Sequence, residues 1–289
     1  DLDRDVAEIL GGSEYHCRLI AERLAAKHDV EVLTTDRPGG DFMVDVLKSL
    51  NFEYVAANPG SSFRGIHECI INYGNNTAPE FITCCHEESS VAMAHGYFKV
   101  EGKPLAVLCH GTVGLQHASM AIYNAYCDRV PVFLMAGNSL DATMRRPGVE
   151  WAHSVQDAAA MVRDYVKWDY QPTSIHGVPE SFARAYSIMT TQPQGPIYMC
   201  YDAALQEAKL EDEPALPPAN AVVTPAPMMP DPNAIGQIAE KLLKADYPLL
   251  LPEYAGRREG GFDRIRYTGK PVLSVAQLHV SKTGIALTF

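Results

Sequence analysis

The chain has 289 residues, 47% of them apolar and 20% charged, enough for one large domain or two ordinary ones with full cores. Its 24 Lys and Arg against 35 Asp and Glu leave a formal charge of -11, so there is no bulk basic surface, and neither nucleic acid nor an anionic membrane is an expected partner. No apolar run approaches the roughly 18 residues of a membrane span, the seven cysteines form no C-x-x-C pair and read as reduced thiols, and the acidic start Asp1-Leu2-Asp3-Arg4-Asp5 lacks signal-peptide design, so the expected location is cytoplasmic.

Residues 1–38 read as an atypical N-terminal α/β extension. Gly11-Gly12-Ser13 precedes a helical face of Leu19, Ile20, Leu24 and Ala25, and the strand-like Val30-Glu31-Val32-Leu33 follows. The missing initial methionine reads as a fragment or a processed chain. Arg37-Pro38-Gly39-Gly40 is a breaker-rich joint. Beyond it, Phe42, Val46 and Leu50 predict a helix from Asp41, and the strand Glu53–Ala57 runs into Asn58-Pro59-Gly60-Ser61-Ser62. A second helix is expected from Phe63 to Tyr73.

The β-type run Phe81-Ile82-Thr83 leads through Cys84-Cys85-His86 into a helix opened by Glu87 and Glu88. Taken locally, that acidic pair stabilises its own helix N-terminus through the dipole. Ser89 and Ser90 lack the G-x-S-x-G context of a hydrolase elbow. Next, Leu105–Cys109 predicts a buried strand ending in a turn, His110-Gly111-Thr112-Val113-Gly114, with His117 opening a helix of small residues. Asp128-Arg129-Val130-Pro131 turns into the strand Val132–Gly137. Met144-Arg145-Arg146-Pro147 reads as a surface excursion before a helix from Val155 to Val166, and Glu180–Met189 and Ile197–Cys200 as a further helix and strand.

From residue 209 to 230 the chain is acidic and rich in Pro and Ala, an inter-domain linker. A helix from Pro232, a strand at Leu249-Leu250-Leu251 and a last strand-like segment from Gly269 fill residues 231–289. The alternation predicts an α/β protein: a doubly wound, mainly parallel sheet over 39–208 with a partial second α/β domain.

From Asp41 to about Glu207 the sequence resembles the pyrimidine-binding domain of thiamine diphosphate-dependent enzymes of the acetolactate synthase group, and to about Arg264 the start of their central domain. His86-Glu87-Glu88 with Gly96-Tyr97 stands where that family has His-Glu-Gln and a small-residue helix carrying Gly-Tyr. Asn58-Pro59-Gly60 matches its Pro-Gly turn, and Asn124-Ala125, Asp128 and Val130-Pro131-Val132 match a further series. The family's Gly-Pro-Gly-Val-Thr-Asn turn falls on Thr112 to His117. Its second glycine is kept as Gly114, but Val113 replaces proline and His117 replaces asparagine. His153-Ser154 stands near the family's Phe-Gln.

The resemblance implies thiamine diphosphate as cofactor and a 2-keto acid as substrate, for decarboxylation or carboligation. It makes Glu87 the catalytic acid on the aminopyrimidine and Asn58, Pro59, Gly60, Glu87, Gly114 and His117 the cofactor contacts, with no metal ligand in the chain. In the family, Mg²⁺ and the diphosphate sit on a separate domain marked by Gly-Asp-Gly, a run absent from these 289 residues. The resemblance therefore implies a portion that is inactive alone, completed in a homo-oligomer or by a partner chain carrying that domain. Two rival readings stand beside it: a nucleotide-sugar glycosyltransferase, resembled by the Gly11-Gly12 turn and the segment from Gly269, and a non-catalytic assembly subunit. His86, His95, His110, His117 and His153 are candidates to face one cleft, although no H-x-x-x-H or H-E-x-x-H spacing occurs.

Overall fold

A computed structural model describes residues 22–28 and 37–246, apart from 144, 149, 213, 219, 227 and 228, together with residue 254. The chain divides into two units, Asp1–Pro225 and Ala226–Phe289. The expected strand at Leu249–Leu251, the strand-like segment from Gly269, the Gly11-Gly12 turn and the strand at residues 30–33 lie outside the described residues.

The first unit alternates strands and helices: α1 (Gly39–Ser49), β1 (Tyr54–Ala57), α2 (Arg64–Ile71), β2 (Glu80–Thr83), α3 (Glu87–Glu101), β3 (Ala106–Cys109), α4 (Gly111–Cys127), β4 (Phe133–Asn138), α5 (Glu150–His153), β5 (Asp169–Tyr170), α6 (Val178–Thr190), β6 (Ile197–Asp202) and α7 (Ala203–Glu207). The six strands form one sheet in the order β2-β1-β3-β4-β6-β5, and every pairing in it is parallel. The expected doubly wound sheet is therefore present, and it is wholly parallel among the described strands.

Side-chain alternation along the strands builds a core on each face. Val55, Ala57, Ala106, Leu108, Phe133, Met135, Ile197 and Met199 point to one face, against Phe42, Val46 and Leu47 of α1, Ile66 and Ile70 of α2, and Phe182 of α6. Ala56, Val107, Cys109, Leu134, Ala136, Tyr198 and Cys200 point to the other, against Val91 and Ala94 of α3 and Leu115, Ala118 and Ile122 of α4. Near-continuous apolar strands are what a parallel sheet covered on both faces requires. Its first and last segments meet where Pro38 bridges Lys209 and Gly39 N–H donates to Ala208 O at 2.9 Å.

The structure corrects two expectations. The residues expected as a turn, Thr112 to His117, are helical: α4 starts at Gly111, and His117 sits two turns inside it rather than opening it. No α-helix spans 155–166; two 3-10 turns, Ala159–Met161 and Arg163–Tyr165, stand there instead. Ala158, Val162 and Val166 are still buried at the four-residue spacing that suggested a helix. Of the six described cysteines, none in a disulfide, Cys85 and Cys127 are exposed.

In the second unit, α8 (Pro232–Lys244) is capped by Asp231, whose carboxylate accepts from Asn233 N–H at 2.9 Å. Lys241 and Lys244 complement its C-terminal dipole. No described helix is long and apolar enough to cross a membrane.

Candidate cofactor site

The strand order fixes where a ligand can enter. From β1 the chain moves outward to β2, then crosses back to place β3 on the other side of β1. The loops after β1 and β3 therefore diverge, leaving a crevice at the carboxyl ends of the strands, the general ligand position in open α/β sheets. Three segments converge on it: residues 58–62 after β1, 84–87 after β2, and 110–114 after β3.

Glu87 is the first residue of α3. His86 caps that helix, its Nδ1 accepting from Glu88 N–H at 3.2 Å, with backbone angles of -158° and 145°. The cap turns the chain so that Glu87 points inward and is 3% exposed, while Glu88 faces solvent. Glu87 Oε2 is buried and receives no hydrogen bond. His117 Nδ1 lies 3.5 Å away, an ion-pair separation that does not satisfy hydrogen-bond geometry, so the oxygen keeps an open acceptor site. Burying such a group without a donor is costly and is tolerated chiefly where function requires it.

Gly114 lets this happen. A Cβ on Gly114 would stand 2.7 Å from Glu87 Oε1 and 3.2 Å from its Cγ and Cδ. One turn further along α4, His117 is exposed and its ring stacks on that of His86, with centroids 4.8 Å apart and planes 18° from parallel.

The turn after β1 forms the other wall. Asn58 and Gly60 are half-buried and Pro59 is exposed. A Cβ on Gly60 would lie 2.5 Å from His110 Cβ, so this turn can approach β3 only as glycine. Ser62 Oγ accepts from Gly111 N–H at 2.9 Å and lies 2.9 Å from His110 Nδ1. The Ser62 backbone N–H donates to the same nitrogen at 3.4 Å, which makes it an acceptor. Burial lowers the His110 pKa, and the neighbouring His153, with ring centroids 5.1 Å away, pushes it the same way; Glu87 opposes them weakly. His110 is thus a neutral acceptor at neutral pH.

All six predicted contact residues therefore lie on the three convergent segments or on the first turns of α4. Of the histidines expected to share a cleft, four reach this edge as the pairs His86–His117 and His110–His153. His95 does not; its Nε2 meets Asp128 at 2.7 Å beyond the far end of α4.

Other supporting residues carried no local sequence signal. Gln206 of α7, 1% exposed, donates to Ser62 O at 3.1 Å and accepts from Ile66 N–H at 3.3 Å. Arg64 bridges Glu150 at 3.0 Å and Glu207 at 2.7 Å, and Glu150 also accepts from Arg146 N–H at 2.6 Å. Burial alone would raise the Glu150 pKa. The Arg146 N–H and the two guanidinium groups outweigh it and hold the carboxyl below its ordinary range. These contacts join residues up to 144 positions apart.

The site offers a buried acid with one unengaged oxygen, a glycine-cleared approach to it, and a Pro-Gly turn opposite. These features fit the aminopyrimidine end of thiamine diphosphate, whose ring nitrogens and amino group need a buried hydrogen-bonding partner.

Residues 37–161 match the family model described as thiamine pyrophosphate enzyme, N-terminal TPP binding domain. The benzoylformate decarboxylase of Pseudomonas aeruginosa is 26% identical over 204 residues, covering 66% of this chain and 37% of that protein. The mitochondrial acetolactate synthase catalytic subunit of Saccharomyces cerevisiae is 23% identical over 178 residues, covering 62% of this chain and 25% of that one. The crystal structure of benzoylformate decarboxylase from Polynucleobacter necessarius superposes with a TM-score of 0.68 at 25% identity, over 82% of this chain and 43% of that chain. The chain thus spans less than half the length of these relatives. The resemblance to the thiamine diphosphate-dependent, acetolactate synthase-like enzymes is borne out. The matched segment is similar to the N-terminal domain of thiamine diphosphate-dependent enzymes of the decarboxylase and acetolactate synthase type, a similarity that implies thiamine diphosphate as cofactor. These relatives give the glycosyltransferase reading no support.

Proposed function

We propose that, within this thiamine diphosphate-dependent family, residues 39–208 are the pyrimidine-binding portion of a 2-keto acid decarboxylase or carboligase. Residues 209–230 act as the linker and 231–289 as the beginning of a second domain. The observation that carries the proposal is Glu87: a 97% buried carboxyl with an unengaged oxygen, at the switch point of the sheet.

When bound, the cofactor supplies the electron sink for cleaving or forming the bond beside the keto carbon. The chain's residues supply binding, orientation and proton control. Glu87 would hydrogen-bond the aminopyrimidine through its open oxygen and hold or release a proton at that atom, and its burial, by excluding water, would strengthen the bond. Gly114 keeps the α4 backbone clear of the carboxyl. Asn58, Pro59 and Gly60 would hold the group from the wall opposite, and His117 would cover the entrance above Glu87. Neutral His110, fixed by Ser62, gives the crevice a polar but uncharged floor.

The diphosphate and its Mg²⁺ require oxygen ligands in an octahedral set. We assign them to a separate domain, carried by a partner chain, so that this chain alone is inactive. The outward faces of α3 and α4 support an assembly reading. Met93, Val100, Met120, Tyr123 and Tyr126 are 40–83% exposed there, an apolar surface of the kind that partners cover. A cytoplasmic location accords with the reduced cysteines.

Calorimetric titration of the chain with thiamine diphosphate and Mg²⁺, with UDP-glucose in parallel, tests this. Weak cofactor binding without Mg²⁺ dependence, and no UDP-glucose binding, is expected. Tight Mg²⁺-dependent binding would overturn the half-site assignment, and UDP-glucose binding would favour the glycosyltransferase.

A further inference from the structure

We propose that His86, Glu87 and His117 form a binding site for a divalent transition-metal ion of the zinc class. Each side chain offers one ligand atom, and these atoms all lie within 4.8 Å of one another. Two imidazoles and one carboxylate, with a fourth position open, are a donor set suited to zinc or cobalt. They do not suit Mg²⁺, which takes oxygen ligands almost exclusively.

The geometry supplies a second, independent reason. The Glu87 side chain is 3% exposed, and its Oε2 has no hydrogen-bond partner yet faces His117 Nδ1 at 3.5 Å. A cation between the two would satisfy the orphaned oxygen and engage His117 Nδ1 at once. The His86 and His117 rings are stacked with centroids 4.8 Å apart, so one of them must turn to bring both lone pairs onto a single ion.

Some closing is required. Bonds of about 2.0–2.1 Å in a tetrahedral shell place ligand atoms roughly 3.3 Å apart. The His117 side chain is 59% exposed, so it is free to swing inward. His86 carries the cost. Its Nδ1 accepts the Glu88 N–H, so coordination through either ring nitrogen gives up that cap. The expected affinity is therefore on the order of micromolar, weaker than a dedicated structural zinc site. The ligands come from a strand-to-helix turn and a helix 30 positions on, which is why no linear histidine motif announces them.

Metal binding here does not depend on the cofactor assignment. If that assignment also holds, ion and aminopyrimidine contend for the same carboxylate.

The test is titration of the tag-free full chain with Co²⁺, followed by its visible absorption, with Zn²⁺ displacement measured by equilibrium dialysis. Saturable binding with intense low-coordinate Co²⁺ bands is expected. His117→Asn should weaken it by tenfold or more, on the order of the effect of disturbing a metal ligand. His86→Asn, which keeps an N-cap oxygen for α3, should do the same, whereas His176→Asn, at an exposed histidine on another element, should change nothing. Absence of saturable binding up to millimolar Co²⁺, or an affinity unchanged by either His117→Asn or His86→Asn, would overturn the proposal.

Discussion

Gly114 and Glu87 are in contact through a missing side chain: the place where Gly114 would carry its Cβ is 2.7 Å from Glu87 Oε1. The helix after β3 and the acid after β2 are fitted to one another. The carboxyl can be buried only because the helix has nothing there.

This pairing predicts that Gly114→Ala separates stability from binding. Alanine gains about 1 kcal/mol of helix propensity over glycine. The atom it displaces is the tip of a flexible side chain, so the clash is relieved by moving the carboxyl. Stability in urea should stay within about 1 kcal/mol of wild type, while thiamine diphosphate binding in the reconstituted complex falls at least tenfold. Unchanged binding would show that the carboxyl position does not matter.

Glu87→Gln replaces a buried carboxyl whose Oε2 has no hydrogen-bond donor. We expect unfolding free energy to rise by about 1 kcal/mol, in the manner of residues that trade stability for function. Turnover of a reconstituted complex should fall by orders of magnitude. Glu88→Gln, on the exposed side of the same turn, should change neither by much. Equal sensitivity of the two would contradict the assignment of the pair.

Glu150 ties Arg64 and Arg146 to the back of the site, and its carboxyl is held below the ordinary carboxylate range. A depressed folded-state pKa contributes stability above the unfolded value of about 4.3, which is lost as pH falls through the folded value. Glu150→Gln should therefore destabilise by about 2 kcal/mol at pH 7. The gap to wild type should narrow as pH drops from 5 toward 3. Denaturant midpoints of both proteins across that range provide the check, and a constant gap would sink the idea.

Met120 stands on the exposed side of α4, one turn beyond His117. If a second copy covers this face, Met120→Glu should shift sedimentation from dimer to monomer without lowering the thermal midpoint of the monomeric fold. A wild-type chain that is monomeric at tens of micromolar would contradict coverage by a second copy.

Much of this architecture was legible from residues alone. The strands through Ala56, Val107 and Leu134 are short apolar runs closed by Pro, Gly or Asp turns, and parallel sheets buried on both faces leave that trace. The start of α4 was not legible, because Gly111, Val113 and Gly114 are weak helix formers and only their fit against Glu87 and Thr112–His153 makes them helical. The segment 155–166 misled for a different reason. Its burial repeats every four residues through Ala158, Val162 and Val166, but two 3-10 turns deliver the same spacing.

The candidate site divides similarly. Glu87 could be found because a strand end, an acidic pair and a small-residue helix lie together in sequence. Ser62, Gln206 and Glu150 could not, since each acts through a contact with a distant segment and is an ordinary residue where it stands.

The central claim is that Glu87 meets an aminopyrimidine in this chain. The most direct measurement is a heteronuclear NMR titration of the chain with the free aminopyrimidine half of thiamine, which needs neither diphosphate nor metal. Saturable shifts in the millimolar range at the backbone amides of Gly60, Glu87 and Gly114, lost in Glu87→Gln and retained in Glu88→Gln, are predicted. Shifts that avoid these three residues, or that persist undiminished in Glu87→Gln, would contradict the claim.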